Sequence, residues 1–539
     1  MTLLVKVFEA ILRFKQTGKS MFSTSQLITR MVQTAGSQVV TVNGDRQQTW
    51  NQFNEKIARF AGGLQSLGVG QDDCVAMLAL NSDRYFEFMY AVPWAGAVFQ
   101  PINTRLAGPE VVYWLNDSEA KVVLVDSSFT ALIDHIRPQL KYAQHFIFVD
   151  EETIPYGYGS YSDLVSAEPV ADAGRQGDDV AALFYTGGTT GRSKGVMLTH
   201  TNLVVNALQA VAVMDCQSGD KILHVAPMFH IADAFYCMTS LAVGGTNYFL
   251  PGFEPVATMR AIQDYQIDRL LMVPTMINML VNHPDIANFD LTELRAVAYG
   301  ASPMPESVIK KSLAELPNTG FYQAYGQTEA SPIVTVLDKN RHIFEGPLAG
   351  KTKSAGQAIP GTDLAIFDEN NHRVANGEVG EVCLRGPNVM KGYRNMPEQT
   401  DKAIVDQWLH TGDGGYLDDE GFLFIVDRVK DMIISGGENV YSTEVENAIY
   451  QFPGVNQCAA IGIPSEKWGE QVHAVVVLNE GVSASEEDII AYCKTQIAGF
   501  KCPRSITFQR EPLPLSGAGK ILKTELRKPF WASGEKNVN

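Results

Sequence analysis

Between residues 180 and 330, short apolar and β-branched runs alternate with stretches whose apolar positions recur at helical spacing. The runs Val180 to Tyr185, Ile222 to Val225, Arg269 to Val273 and Leu294 to Tyr299 predict buried strands, and Leu203 to Val213 and Val308 to Leu316 predict helices. Pro305 suits the first turn of the latter helix, where a missing N–H is no loss. Such alternation predicts an α/β layered body with much parallel sheet. A similar alternation over roughly 48 to 150 predicts a second α/β unit of like build. After about 360, turns such as Asp368-Glu-Asn-Asn-His-Arg and Asp418-Asp-Glu-Gly punctuate short strands, which suits a small β-rich subdomain.

The apolar strand Phe422 to Val426 runs into the charge cluster Asp427-Arg-Val-Lys-Asp, read as a junction. The expected division is an N-terminal domain over 1–427 and a C-terminal domain over 428–539. Within the second, Cys458 to Ile463, Val472 to Leu478 and two helices predict a small α+β fold. A chain of 539 residues exceeds what one hydrophobic core organises, so several folded units are required. At the N-terminus Leu3, Leu4, Val7, Phe8, Ile11 and Phe14 share helical spacing, with Lys6, Arg13 and Lys15 among the other positions. Residues 1–20 therefore read as an amphipathic leader that packs on the body, stays disordered, or makes peripheral contact with a membrane surface. Lys6 and Glu9 interrupt the apolar stretch, which argues against a secretion signal, and no apolar run approaches the ~20 residues of a spanning helix.

Hydrophobic residues at 45% and charged residues at 19% place the chain among folded proteins. A net charge of -17 opposes broad contact with nucleic acid, so any phosphate site must be local and built from loops. The seven cysteines are odd in number and scattered, with no Cys-x-x-Cys; they suggest neither a disulfide framework nor a zinc site and fit a reducing cytoplasm.

Strand 180–185 feeds into Tyr185-Thr-Gly-Gly-Thr-Thr-Gly-Arg-Ser-Lys-Gly-Val196. Four glycines let backbone N–H groups turn toward an anion, threonine hydroxyls donate, and Lys194 adds positive charge, a set suited to polyphosphate. The common phosphate loop, Gly-x4-Gly-Lys-Ser/Thr, has no match.

This run resembles the signature loop of the adenylate-forming superfamily, which includes acyl-CoA synthetases, peptide-synthetase adenylation domains and beetle luciferases. The resemblance continues in order through Tyr299-Gly-Ala-Ser-Pro, Gln323-Ala-Tyr-Gly-Gln-Thr-Glu329, Trp408-Leu-His-Thr-Gly-Asp413, Asp427-Arg-Val-Lys430, Ser435-Gly-Gly-Glu-Asn-Val440 and Pro514-Leu-Ser-Gly-Ala-Gly-Lys520. Gly187 stands where many members carry Ser, and Ser193 where many carry Pro, which tunes ATP affinity and loosens the loop while leaving the backbone cradle.

The resemblance implies ATP, Mg²⁺ and CoA as reactants and cofactors, and a two-step reaction in which a carboxylate displaces pyrophosphate before thioester formation. It assigns Thr186, Gly187, Gly188, Thr189, Thr190, Gly191 and Lys194 to the β/γ-phosphates, and Thr328 and Glu329 to the α-phosphate and its magnesium, with Glu329 the metal ligand. Gln323 and Tyr325, the latter stacking on adenine, with Ala301 and Ser302 nearby, hold the base; Asp413 and Arg428 hold the ribose. Lys520 resembles the mobile lysine that bridges the acyl carboxylate and the α-phosphate. Lys430 resembles the hinge for a C-terminal rotation between half-reactions, and Gly436 and Gly437 line the pantetheine tunnel. Trp468-Gly-Glu is a further family-like segment without a derived role.

His230 stands near where amino-acid-activating relatives place Asp, so an amino acid is disfavoured and His230 reads as a gate beside the carboxylate. Phe235, Met276, Ile277, Ala324, Ala330 and Ile333 are apolar pocket candidates, and each buried methylene contributes ~0.8 kcal/mol. Asp233 is discordant: it either faces away or recognises a polar group on a different acid. The resulting expectation is an acyl-CoA synthetase of the fatty-acid–CoA ligase type for a medium- or long-chain acid. The alternatives are a CoA ligase for an aryl or short substituted acid such as 3-methylthiopropionate, or a non-catalytic nucleotide sensor. Expected partners are the small-molecule acid, ATP and CoA; a cytoplasmic location is expected, and a homodimer stays open.

Overall fold

A computed structural model describes residues 22–151, 153–186, 193–302, 304–346, 349–428, 432–435, 438–465, 467–516 and 521–531. The expected leader over 1–20 lies outside them. The chain forms two compact units: one runs to Gly252 and takes in Gln327–Ile333 and Gly386–Asp401, and the other comprises the remainder.

In the first unit, Cys74–Leu78, Val98–Pro101, Val122–Val125 and Val180–Thr186 form the centre of an eight-stranded sheet. These strands read as continuous Val, Ala, Leu and Phe because both faces are covered, as parallel sheets require. Asp83–Trp94 and Gly108–Asp117 are among its crossover helices. Tyr185 and Trp114 stack at 4.9 Å inside the core made by this sheet and its helices. Lys194–Thr199 returns antiparallel along Val180–Thr186, and the two-residue strand Gly392–Tyr393 adds to its outer edge. A second set in this unit, Lys221–His224, Thr246–Phe249 and Val39–Asn43, is parallel, with Arg46–Thr49 antiparallel at its side.

In the second unit, Arg269–Met272, Ala296–Gly300 and Gly320–Gly326 are parallel. An all-antiparallel sheet follows, containing Asp363–Phe367, Gly380–Arg385, Trp408–Leu417 and Leu423–Arg428. A last five-stranded sheet pairs Val455–Ser465 with Gly469–Leu478 and packs Ser442–Tyr450 and Glu486–Gln496 around its own apolar core. The α/β class read from the alternation is therefore the one observed.

The differences lie at element ends. The helix expected from Leu203 starts at His200, because Thr199 and Asn202 form a capping box that begins it three residues earlier. Pro305 sits just outside its helix as the N-cap, with ψ 136, and the helix spans Glu306–Glu315. The strand expected from Leu294 begins at Ala296, since the Leu294 N–H turns back to the Leu291 carbonyl. Among the described residues no helix is long and apolar enough to cross a membrane.

Candidate active site

Thr186 and Lys194 are cross-strand partners, so the ends of the glycine-rich loop are fixed by the hairpin pairing. Gly187, Gly188, Thr189, Thr190 and Gly191 lie outside the described residues. Just before the return strand, the Ser193 carbonyl accepts from the Tyr113 hydroxyl at 3.0 Å. The Lys194 ammonium lies 4.6 Å from the centre of the Tyr393 ring and 3.5 Å from Gln399 Oε1.

Thr328, Glu329 and Ala330 form a single tight turn. Glu329 is buried, and its Oε1 accepts from the Tyr393 hydroxyl at 2.8 Å. Burial, reinforced by Glu329, raises the Tyr393 phenol above its ordinary value, so it remains a donor. Three buried asparagines fix these segments. Asn206 exchanges hydrogen bonds with the Ile333 backbone, Asn388 donates to the carbonyls of Ala330 and Ile333, and Asn202 donates to those of Pro387 and Val389. Tyr393 and these asparagines escaped the sequence reading; they carry no periodicity and belong to no quoted motif.

His230 is the N-cap of helix Ile231–Val243, its Nδ1 accepting from the Ala232 N–H at 3.3 Å. Phe235, Ala330 and Ile333 are buried in the same unit. Asp233 faces away from solvent altogether, at 0% exposure, with Oδ2 2.9 Å from His224 Nδ1. The other ring nitrogen of His224 meets Asn247 Oδ1 at 2.9 Å, and Asn247 is oriented by donating its amide to the Val40 carbonyl. Both His224 nitrogens thus act as donors. Burial alone would lower its pKa, but Cys237 and Asp233 together hold it well above the ordinary value. Of the two readings of Asp233, the structure takes the one in which it faces away, and adds the buried partner His224.

In the second unit, Ala301 adopts φ 70, in the left-handed region that a side chain disfavours, directly after Gly300. A Cβ on Gly300 would stand 2.1 Å from the Ala324 carbonyl oxygen, so glycine is what lets the two neighbouring strands approach here. Gln323 Oε1 accepts from the Tyr299 hydroxyl at 3.2 Å. The Tyr325 hydroxyl donates to Asp413 Oδ2 at 2.8 Å, which brings together two residues separated by 88 positions. Asp413 is the register partner of Arg428 across antiparallel strands, placing the expected ribose pair opposite each other along the backbone. Ile277 is buried, while Met276, Ala324 and Ser302 are half-buried. Lys430, Gly436, Gly437 and Lys520 lie outside the described residues. The base of the Lys520 loop is closed by a bridge between Leu515 and Ile521. The Trp468 ring carries the Arg504 guanidinium at 4.4 Å, and Glu470 accepts from the Ile434 N–H at 3.2 Å.

The sequence profile of the AMP-binding enzyme family matches residues 28–394, and that of the AMP-binding enzyme C-terminal domain matches residues 444–520. The chain belongs to the AMP-binding enzyme family, in the branch of AMP-forming acid–CoA ligases. It is 38% identical over 489 residues to a feruloyl-CoA synthase from an Amycolatopsis species, covering 90% of this chain and 95% of that one. It is 37% identical over 495 residues to the long-chain-fatty-acid–CoA ligase FadD13 of Mycobacterium tuberculosis, covering 91% and 94%. A solved Mycobacterium tuberculosis fatty acyl CoA synthetase superposes with a TM-score of 0.75 at 34% identity, covering 95% of this chain and 98% of that one. A large N-terminal α/β domain followed by a smaller C-terminal domain is the architecture shared with such structures.

Proposed function

We propose that this chain activates a medium- or long-chain fatty acid through an acyl-adenylate and transfers the acyl group to CoA. The observation that carries this reading is Asp233 paired with His224 in the core. Of the side chains expected near the acid, the carboxylate is withdrawn, while Phe235, Ile277, Ala330 and Ile333 are apolar and buried. The likeness to FadD13 supports the same choice.

In the first half-reaction an oxygen of the substrate carboxylate attacks the α-phosphorus of ATP and the bond to pyrophosphate breaks. Two anions must meet, so the work is electrostatic. Lys194 and the glycine-rich loop take the leaving phosphates, and Lys520 bridges the acyl carboxylate and the α-phosphate. Glu329 engages Tyr393 through Oε1 only; its Oε2 and the Thr328 hydroxyl are the hard oxygen donors that suit Mg²⁺, which would neutralise phosphate charge. Asp413, steadied by Tyr325, accepts from the ribose hydroxyls. In the second half-reaction the CoA sulfur attacks the acyl carbon and AMP leaves.

A second reading, an aromatic acid, is favoured by the 38% identity to feruloyl-CoA synthase, since a ring suits apolar walls as well as a chain does. The test is pyrophosphate release from purified protein with ATP, Mg²⁺ and CoA across acetate, octanoate, palmitate, cinnamate, ferulate and 3-methylthiopropionate. Lys520→Ala is run alongside. Preference for octanoate or palmitate, lost in Lys520→Ala, supports fatty-acid activation. Preference for ferulate or cinnamate replaces it with the aromatic reading, and ATP binding without turnover on any acid favours a sensor.

A further inference from the structure

Glu381, Cys383 and His410 converge on one face of the antiparallel sheet of the second unit. Glu381 and Cys383 are two apart on strand Gly380–Arg385 and so share a face, and His410 is the register partner of Cys383 on Trp408–Leu417. His410 Nδ1 lies 2.8 Å from Glu381 Oε2 and 3.4 Å from Cys383 Sγ, and the three donor atoms are all within 4.8 Å of one another. Around a tetrahedral zinc ion, with bonds of about 2.0–2.3 Å, donor atoms stand roughly 3.3–3.7 Å apart. His410 and Glu381 must therefore part, and Glu381 and Cys383 close from a separation within 4.8 Å, a rearrangement of up to about an ångström that falls chiefly on the Glu381 carboxylate. One sulfur, one imidazole nitrogen and one carboxylate oxygen suit a thiophilic divalent cation and not Mg²⁺ or Ca²⁺. The His410 and Glu381 side chains retain 15% and 29% of their exposure, which gives an ion a route in and a water a fourth position. The buried set His224, Asp233 and Cys237 has similar spacing, but all three are closed off from solvent.

Glu381 has a second task. Its Oε1 accepts from the Gly412 N–H at 2.9 Å, and Gly412, at φ 72, is the residue immediately before Asp413. Thr411 completes the support, donating to the Val382 carbonyl and accepting from the Asp413 N–H.

We propose that Glu381, Cys383 and His410 bind a thiophilic divalent cation such as Zn²⁺ or Cd²⁺, and that its binding draws Glu381 off Gly412 and weakens nucleotide binding at Asp413. The nucleotide half of this proposal rests on the reading of Asp413 as a ribose ligand. Binding is ligand exchange: Cys383 releases its proton to water as the sulfur–metal bond forms, His410 gives up the Nδ1 proton it shares with Glu381 and stays protonated at Nε2 alone, which frees the Nδ1 lone pair for the metal, and no electrons are transferred.

The test is titration of the full-length chain with Cd²⁺ alone, following the ultraviolet thiolate-to-cadmium charge-transfer band, in wild type, Cys383→Ser and His410→Gln. Circular dichroism confirms that each is folded. The expected result is one equivalent of band in wild type, absent in Cys383→Ser and weakened at least tenfold in affinity in His410→Gln. A band that persists in Cys383→Ser, or none in wild type, overturns the site. Direct ATP binding is then measured with and without saturating Cd²⁺. A loss of about fivefold to tenfold, the effect of one hydrogen bond, is expected in wild type only. Unchanged ATP affinity overturns the link to Asp413. A chain that binds cadmium as described but turns over no acid would sink the proposed function and leave the metal site standing.

Discussion

Tyr393 joins Lys194 to Glu329: its hydroxyl donates to the carboxylate at 2.8 Å while its ring centre lies 4.6 Å from the ammonium. One side chain, carried on a two-residue edge strand, thereby sets both the cation expected at the leaving phosphates and the carboxylate expected at the metal. The two functions of the tyrosine separate by mutation. Tyr393→Phe keeps the ring and removes the donor, and kcat/KM for ATP is expected to fall about tenfold, matching a lost charge-assisted hydrogen bond of about 1.5 kcal/mol. Tyr393→Leu removes the ring as well and is expected to lose a further factor of about three to five. Pyrophosphate release at varied ATP measures both; equal losses would show that the ring does nothing for Lys194.

Tyr325 and Asp413 form a second such pair. Removing the hydroxyl in Tyr325→Phe takes one donor from the buried carboxylate, so KM for ATP is expected to rise about fivefold to tenfold with little change in kcat. Asp413→Asn should act in the same direction, and the double variant should fall short of the product of the two. Additive losses would mean that the hydrogen bond has no part in nucleotide binding.

His200 gives the fold a pH dependence whose sign follows from its burial. Burial, with Arg175 adding to it and Asp179 opposing, lowers the ring from 6.5 to about 4, and its Nδ1 accepts from the Thr24 N–H at 3.2 Å. Above pH 6.5 the ring is neutral in both folded and unfolded chains. Between 6.5 and about 4 the unfolded chain takes up a proton that the folded one refuses, so stability is lost as pH falls through this window. At pH 5 the loss is about 2 kcal/mol. Urea unfolding at pH 7.5 and pH 5 should show that loss in wild type and little of it in His200→Asn, whose side-chain oxygen can still accept from Thr24.

Gly300→Ala places a methyl against the Ala324 carbonyl. The parallel strands must part there, and a destabilisation of about 1–3 kcal/mol is expected, with weakened ATP binding because the turn at Ala301 moves with them. Thermal unfolding with and without ATP checks it; wild-type melting would show that the strands can yield.

The strands at 180, 222 and 269 were legible because both-face burial writes an unbroken apolar run. Other features were not legible for a common reason. Asn202, Asn206 and Asn388 are polar residues buried by partners distant in sequence, and nothing local distinguishes them from surface asparagines. Asp233 stayed between two readings for the same reason: its partner His224 lies on a strand, and Asn247, which orients that ring, lies on another. The start of the helix at His200 was readable in principle, since Thr199 and Asn202 spell a capping pair, but the apolar periodicity begins only at Leu203.

The pairing of Lys194 and Glu329 with a single phenol has a consequence for ionic strength. Before nucleotide arrives, the ammonium rests against an aromatic face and the carboxylate against a hydroxyl, so the site carries its own neutral counterparts and does not depend on recruited salt ions. Contacts of a charge with a neutral group at such short range are screened by salt far less than charges spread through solvent, so the geometry of the ammonium and the carboxylate should hold as ionic strength rises.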